Sequence, residues 1–239
     1  NIGPTAPGFV VVPLMFAAGF LGGAILGSIP AVLKVRFGVN EVISTLMLNY
    51  VAAELVQFLV VGPWKGETQF GFPYTDDFPA SGILGLAGHP RLHIVSLIVA
   101  LICVVVLTAV IYRTRFGYEV RVTGESPDAA RYAGIQTYKL MILLMVISGG
   151  IAGMAGVGEV AGVHHHLSYP YTISAGYGFT AIIVAWLARL NPVFVIVSGL
   201  FFAGIEVGGD AIQLSLGLPA ATVEVFNGVI LVFLIMGEY

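Results

Sequence analysis

YRTRFGYEVRVTGESPDAARYAGIQTYK, residues 112–139, is the one strongly basic, conventionally soluble stretch in a chain otherwise built for lipid. It carries Arg113, Arg115, Arg121, Arg131 and Lys139, half of the ten Lys and Arg residues present. Apolar runs of membrane length flank it, at 94–112 and 140–163. Short connections rich in Lys and Arg resist translocation, so a basic loop between two such runs reads as cytoplasmic. That placement orients the whole chain and predicts an all-α, polytopic transmembrane helix bundle.

Composition agrees. Hydrophobic residues make up 58% of the 239 and charged residues 10%, where a soluble domain carries about 25% charge. The 31 glycines suit transmembrane helices that approach closely. Both features exclude a soluble globular domain and predict a single transmembrane domain over 1–239. Cys103 is the only cysteine and lies inside an apolar run, so no internal disulfide forms. The opening NIGPTAPG lacks the positive start of a signal peptide. A chain that begins at Asn1 without methionine is expected to be truncated, lacking helices N-terminal to it.

Hydropathy predicts helices at 9–29, 41–61, 94–112, 140–163, 177–190, 193–208 and 221–236. Crossing a bilayer core takes about 20 residues. The first four suffice; the last three are short, and broken helices or a re-entrant element are expected in 164–192. With 113–139 inside, loop 30–40 and the turn 188–192 are inside as well. Lys34, Arg36 and Arg189 then join the five basic residues of the central loop, leaving only Lys65 and Arg91 outside. The outer stretch 62–93 holds Pro63, Pro73, Pro79, Pro90, Asp76 and Asp77, which predicts an irregular, exposed loop.

Gly149 and Gly153, then Gly158 and Gly162, stand four apart, a spacing that clears one helix face for another backbone. Tight packing and helix sliding both fit it. Polar groups within apolar runs say more, since a carboxylate at the bilayer centre costs about 2.5–3.5 kcal/mol or more unless it meets a cavity or partner. Tyr50, Glu54 and Gln57 share one stripe of the 41–61 helix, with Ser44 and Asn49 elsewhere on its surface. Ser44, Asn49, Glu54, Gln57 and Glu159 are the candidate substrate pathway. Amides, hydroxyls and aromatics without mid-span Lys or Arg suit a small, neutral polar solute and argue against an anionic one. Glu41, Glu206 and Asp210 lie near span ends, where interfacial water satisfies them.

His164, His165 and His166 are consecutive, so their side chains diverge and do not converge on one metal. No metal and no cofactor are expected. G-x-x-x-x-G-K-[ST], H-E-x-x-H and G-x-S-x-G are all absent, and VGGD at 207–210 lacks the first glycine of a G-x-G-D signature. No catalytic residue is assigned.

GESPDAARYAGIQTYKL (124–140) resembles the cytoplasmic loop of bacterial ABC-transporter permeases of the branched-chain amino acid, ribose and simple-sugar class. In that family G-E-N-P-x-A-A-R-x-x-G-I follows R-x-R-F-G-x-x-x-R-A. Here the two runs are GESPDAARYAGI (124–135), with Ser126 where Asn is usual, and RTRFGYEVRV (113–122). FGVNEVISTLMLNYVAAELVQFLVVGPWK (37–65) resembles more narrowly the permeases of nucleoside importers that use a basic-membrane-lipoprotein receptor. GYGFTAIIVAWLARLNP (176–192) is similar to the same subgroup, with Trp186 and Ala188 where Leu and Gly are expected. The likeness covers nearly all of 15–236.

The resemblance implies a multi-pass permease of the bacterial plasma (inner) membrane, in contact with lipid and without an ATP site of its own. Its implied partners are an ABC ATPase subunit, a second permease chain (identical or paralogous), an extracytoplasmic substrate-binding lipoprotein and a small solute, with no nucleic acid polymer. Nucleosides are the expected cargo; ribose, galactose or branched-chain amino acids are the alternatives within the class. A proton-coupled transporter or channel working through Glu54 and Glu159 is the alternative outside it. Force from the ATPase must enter through inward loops. PDAARYAG supplies a short docking helix, with Pro127 and Asp128 suited to its first turn and Gly134 to its end. Asp128, Ala129, Ala130, Arg131 and Gly134 are thus implied in coupling, and Arg189, Leu190, Asn191 and Pro192 form a second contact.

Overall fold

Residues 8–67, 72–79, 81–84, 93–174, 176–217 and 221–236 are described by a computed structural model. Ten α-helices carry them: α1 (Gly8–Phe37), α2 (Glu41–Val61), α3 (Ile94–Arg113), α4 (Arg115–Glu125), α5 (Pro127–Tyr132), α6 (Thr137–Glu159), α7 (Pro170–Ser174), α8 (Tyr177–Leu187), α9 (Pro192–Leu216) and α10 (Ala221–Met236). A π turn, Val160–His164, prolongs α6. Among the described residues, six stretches are long and apolar enough to cross a membrane: 8–37, 41–61, 94–113, 137–164, 170–187 and 192–209. The chain is an all-α, polytopic membrane protein. Its contacts form two compact units, 1–174 and 175–239.

In the first unit α1 and α6 make the principal pairing. Gly19, Gly23 and Gly27 of α1 face Gly153, Gly149 and Met145 of α6 in reverse order, so the helices run antiparallel. A Cβ on Gly27 would stand 2.6 Å from the Met145 carbonyl oxygen, and one on Gly149 2.5 Å from that of Gly23. Only glycine lets these backbones meet, which is the packing expected of small residues four apart. Gly158 and Gly162 serve a different neighbour, the start of α3: Cβ atoms there would lie 3.0 Å from Ser96 Oγ and 3.3 Å from the His93 ring. The α1 half of the seam, Gly19–Gly23–Gly27, was not singled out by the spacing of the 140–163 run.

Where a loop is expected at 30–40, α1 continues through Pro30 to Phe37. Only 38–40 connect it to α2. Gly38 takes a left-handed conformation (φ +69°) that ends α1, and Asn40 Oδ1 accepts from the Val42 N–H to start α2. Lys34 and Glu41 pair across this turn. The four long helices therefore alternate. One end of the unit gathers Lys34, Arg36, Arg113, Arg115, Arg121, Arg131 and Lys139; Lys65 is at the other.

The described parts of the 62–93 connection are irregular, as their prolines require, yet they do not hang free. The Thr75, Phe78 and Leu84 N–H groups donate to the carbonyls of Leu167, His165 and Ala161, at 3.0, 2.9 and 3.1 Å. Leu84 and Ala161 are fully buried with Phe16, and Phe78 packs against them. In the second unit, α8, α9 and α10 pack on one another.

Candidate coupling surface and solute pathway

At the basic end, α3 turns into α4 without a spacer. Thr114 Oγ1 donates to the Val110 carbonyl (2.6 Å), ending α3, and accepts from the Gly117 N–H (3.2 Å), starting α4. A Cβ on Gly117 would collide with the carbonyls of Val110 and Ile111, so this elbow requires glycine. The Arg121 guanidinium lies 5.6 Å from the Tyr112 ring centroid and clasps the elbow from outside. Nothing in the apolar periodicity announced α4 itself: 115–125 read only as a basic loop.

α5 is punctuated at both ends. Ser126 Oγ accepts from the Ala129 N–H (3.2 Å), Pro127 fills the first helical position, and Asp128 sits in the first turn beside Arg131 at 3.9 Å. The far end is a Schellman motif. Gly134 (φ +77°) is left-handed, its N–H donates to Arg131 O, and the Ile135 N–H donates to Ala130 O. Ala130 is buried and anchors the helix, while Ala129, Arg131 and Gly134 face solvent. Tyr132, which sequence reasoning passed over, is 95% exposed. Beside it, Phe116, Glu119, Gln136 and Lys139 line a recess of about 410 Å³ between α4 and the start of α6.

The turn at 188–192 has the same hydrogen bonds without the glycine. The Arg189 N–H donates to Trp186 O (2.9 Å) and the Leu190 N–H to Ala185 O (3.0 Å), closing a Schellman motif on α8. Arg189 (φ +50°) and Leu190 (φ +56°) are both left-handed. Side chains other than glycine pay about 1 kcal/mol or more each for that conformation, and such strain gathers at functional turns. Asn191 Oδ1 then accepts from the Val193 N–H, and Pro192 opens α9. Leu190 is 70% exposed and Arg189 also faces out.

The candidate pathway residues do not meet at one place. Ser44 donates back to the carbonyls of Asn40 and Glu41 in its own first turn. Asn49 lines an apolar cavity of about 300 Å³ between α1, α2 and α6, with Thr45, Gly23, Gly27 and Ala152. Glu54 stands roughly 140° around α2 from Asn49, and Gln57 lies on the Glu54 side. Glu159 is beside His164, 3.8 Å from its Nδ1. The three histidine rings part company as consecutive residues must: His165 Nδ1 lies 3.2 Å from the Ala161 carbonyl, and His166 Nδ1 lies 3.4 Å from Asp77. Among the described residues no group of three His, Cys, Asp or Glu converges on a metal position. Side chains of Asp210, Glu224 and Asn227 lie outside the described residues.

A family model for the permease component of branched-chain amino acid transport systems matches residues 3–235. The chain is 36% identical to a glucose ABC transporter permease protein of Haloferax volcanii, over 98% of its own length and 63% of the relative's. It is 29% identical to a nucleoside ABC transporter permease protein of Lactococcus lactis (97% and 65% covered). With a guanosine ABC transporter permease protein of Bacillus subtilis identity is 28% (95% and 65% covered). The chain thus spans a little under two thirds of the length of these curated relatives. No solved structure matches it.

Proposed function

From its membership of the branched-chain amino acid transport system permease family, we propose that the chain is the transmembrane part of an ATP-driven importer of small polar solutes. Relatives named for nucleosides, guanosine and glucose support a ring-bearing cargo, and nucleosides are the reading we favour. A separate ATPase supplies the energy, a binding lipoprotein delivers solute at the outer face, and a second permease chain completes the pathway. The protein works in the cell membrane as a single permease domain.

The observation that carries this reading is α5. A six-residue helix capped at both ends, rooted by Ala130 and presenting Tyr132 and Arg131 to solvent, is a rigid knob made to be gripped. Exposed Tyr and Arg on a fixed frame are the residues that dominate protein interfaces. The turn 188–192 is the second contact. ATPase closure on these elements moves the helices they terminate, and the pathway alternates between faces.

In proteoliposomes holding the full-length permease, its ATPase and receptor, Tyr132→Ala and Arg131→Ala are expected to cut solute moved per ATP by about tenfold. Membrane abundance stays unchanged. Wild-type stoichiometry in both variants removes α5 from coupling, and uptake without any ATPase favours the proton-driven alternative. Glucose relatives sustain the second reading, a simple-sugar importer; a panel of labelled nucleosides and sugars decides between the two.

A further inference from the structure

Glu54 is an exposed carboxylate at membrane depth. It lies about 20 Å along an α2 that is about 31 Å long, so about 10 Å below the outer end. A charge there needs polar company. The structure supplies it from an unexpected source, the segment after the π turn, where α7 packs against α2. Tyr169 and Tyr171 touch, ring centroids 5.3 Å apart and planes inclined 48°. Glu54, Tyr169 and Tyr50 all lie within electrostatic reach of the Tyr171 phenol. Tyr50, one turn before Glu54 on the same stripe, is 55% exposed, and Tyr169 and Tyr171 are 40% and 42% exposed. A carboxylate thus has one tyrosine a turn away on its own helix and a touching tyrosine pair on the segment packed against that helix, and no basic side chain lies on this stripe of α2.

We propose that Tyr50, Glu54, Tyr169 and Tyr171 form a solute subsite in the outer half of the membrane, which stacks a nucleobase on tyrosine and receives its N–H groups on the Glu54 carboxylate. The subsite rests on the importer reading above and names what that importer selects. An ionised carboxylate only accepts, and its two oxygens match two adjacent N–H donors, the edge that a guanine base presents. A tyrosine face suits any planar ring and holds it at little entropic cost. A sugar can also lay a C–H face on tyrosine, but it lacks the two adjacent N–H donors that the carboxylate matches. The cluster is separate from the Asn49 cavity, which opens on the opposite side of α2 and is apolar.

The test uses the same reconstituted complex with tritiated guanosine and glucose as probes. Tyr171→Ala and Glu54→Gln are each expected to lower guanosine uptake about tenfold, the scale of one stacked base. Receptor-stimulated ATP hydrolysis stays within about twofold of wild type. Tyr171→Phe restores uptake, because the ring and not the hydroxyl carries the stack. Guanosine uptake unchanged in both loss variants overturns the subsite, and so does failure of Phe to rescue. A wild-type complex that imports glucose and not guanosine overturns the subsite but leaves the importer standing. One that hydrolyses ATP and moves neither solute defeats the importer reading and the subsite with it.

Discussion

Arg189 occupies a position that helix-ending motifs reserve for glycine, and the strain makes opposite predictions for stability and for work. Arg189→Gly removes a left-handed side chain and relieves about 1 kcal/mol, so the thermal unfolding midpoint in detergent rises by about 2–4 °C. If the guanidinium is the ATPase contact, the same variant moves less solute per ATP. A midpoint that falls contradicts the strain; intact coupling assigns the cost to something other than grip. The arginine was legible in sequence as a basic residue in a short inward turn, but its conformation was not. Glycine was expected one residue earlier, at Ala188, whereas the left-handed bonds fall on Arg189 and Leu190. Tyr132 went unread because the soluble stretch 112–139 has no apolar periodicity to say which side chains α5 turns outward.

The first four helices of membrane length were plain from hydropathy, since each must satisfy its backbone internally and show apolar side chains to lipid; α9, expected as a short 193–208, runs 25 residues to Leu216. Their ends moved where polar and apolar signals disagreed. α1 runs on to Phe37 because Pro30 is tolerated in its last turns and Lys34 has Glu41 to pair with. The pairing of helices was only half legible. Spacing in 140–163 showed that glycines clear a face, but not that α1 offers Gly19, Gly23 and Gly27 to the first pair and α3 offers Ser96 and His93 to the second. The seam has a sharp control. Gly23→Ala forces a methyl into the Gly149 backbone and is expected to destabilise by about 1–3 kcal/mol. Gly22→Ala, next to it, meets nothing within 4 Å and stays within about 0.5 kcal/mol of the parent. Equal midpoints for the two variants in thermal unfolding would show that the helices do not meet there.

For the molecule as a whole, orientation was read from charge, and the structure adds that seven of the basic residues of the first unit share one end. A Cys103→Ser, Ser126→Cys variant is expected to react with a membrane-impermeant maleimide only in inside-out vesicles; labelling of intact cells would invert the protein. The solute route resisted sequence reading most, because five polar residues spread over two helices can face five ways, and only packing shows which meet. The α1–α6 seam carries the largest consequence. Two helices whose backbones meet along three successive turns, glycine against neighbouring carbonyl, form one closely seated beam. The foot of that beam adjoins α5, and its head is stitched by three main-chain bonds to the loop that caps the far side. Under the coupling role proposed above for α5, a push at the basic end is carried along this beam to the opposite end of the unit, glycine backed against glycine.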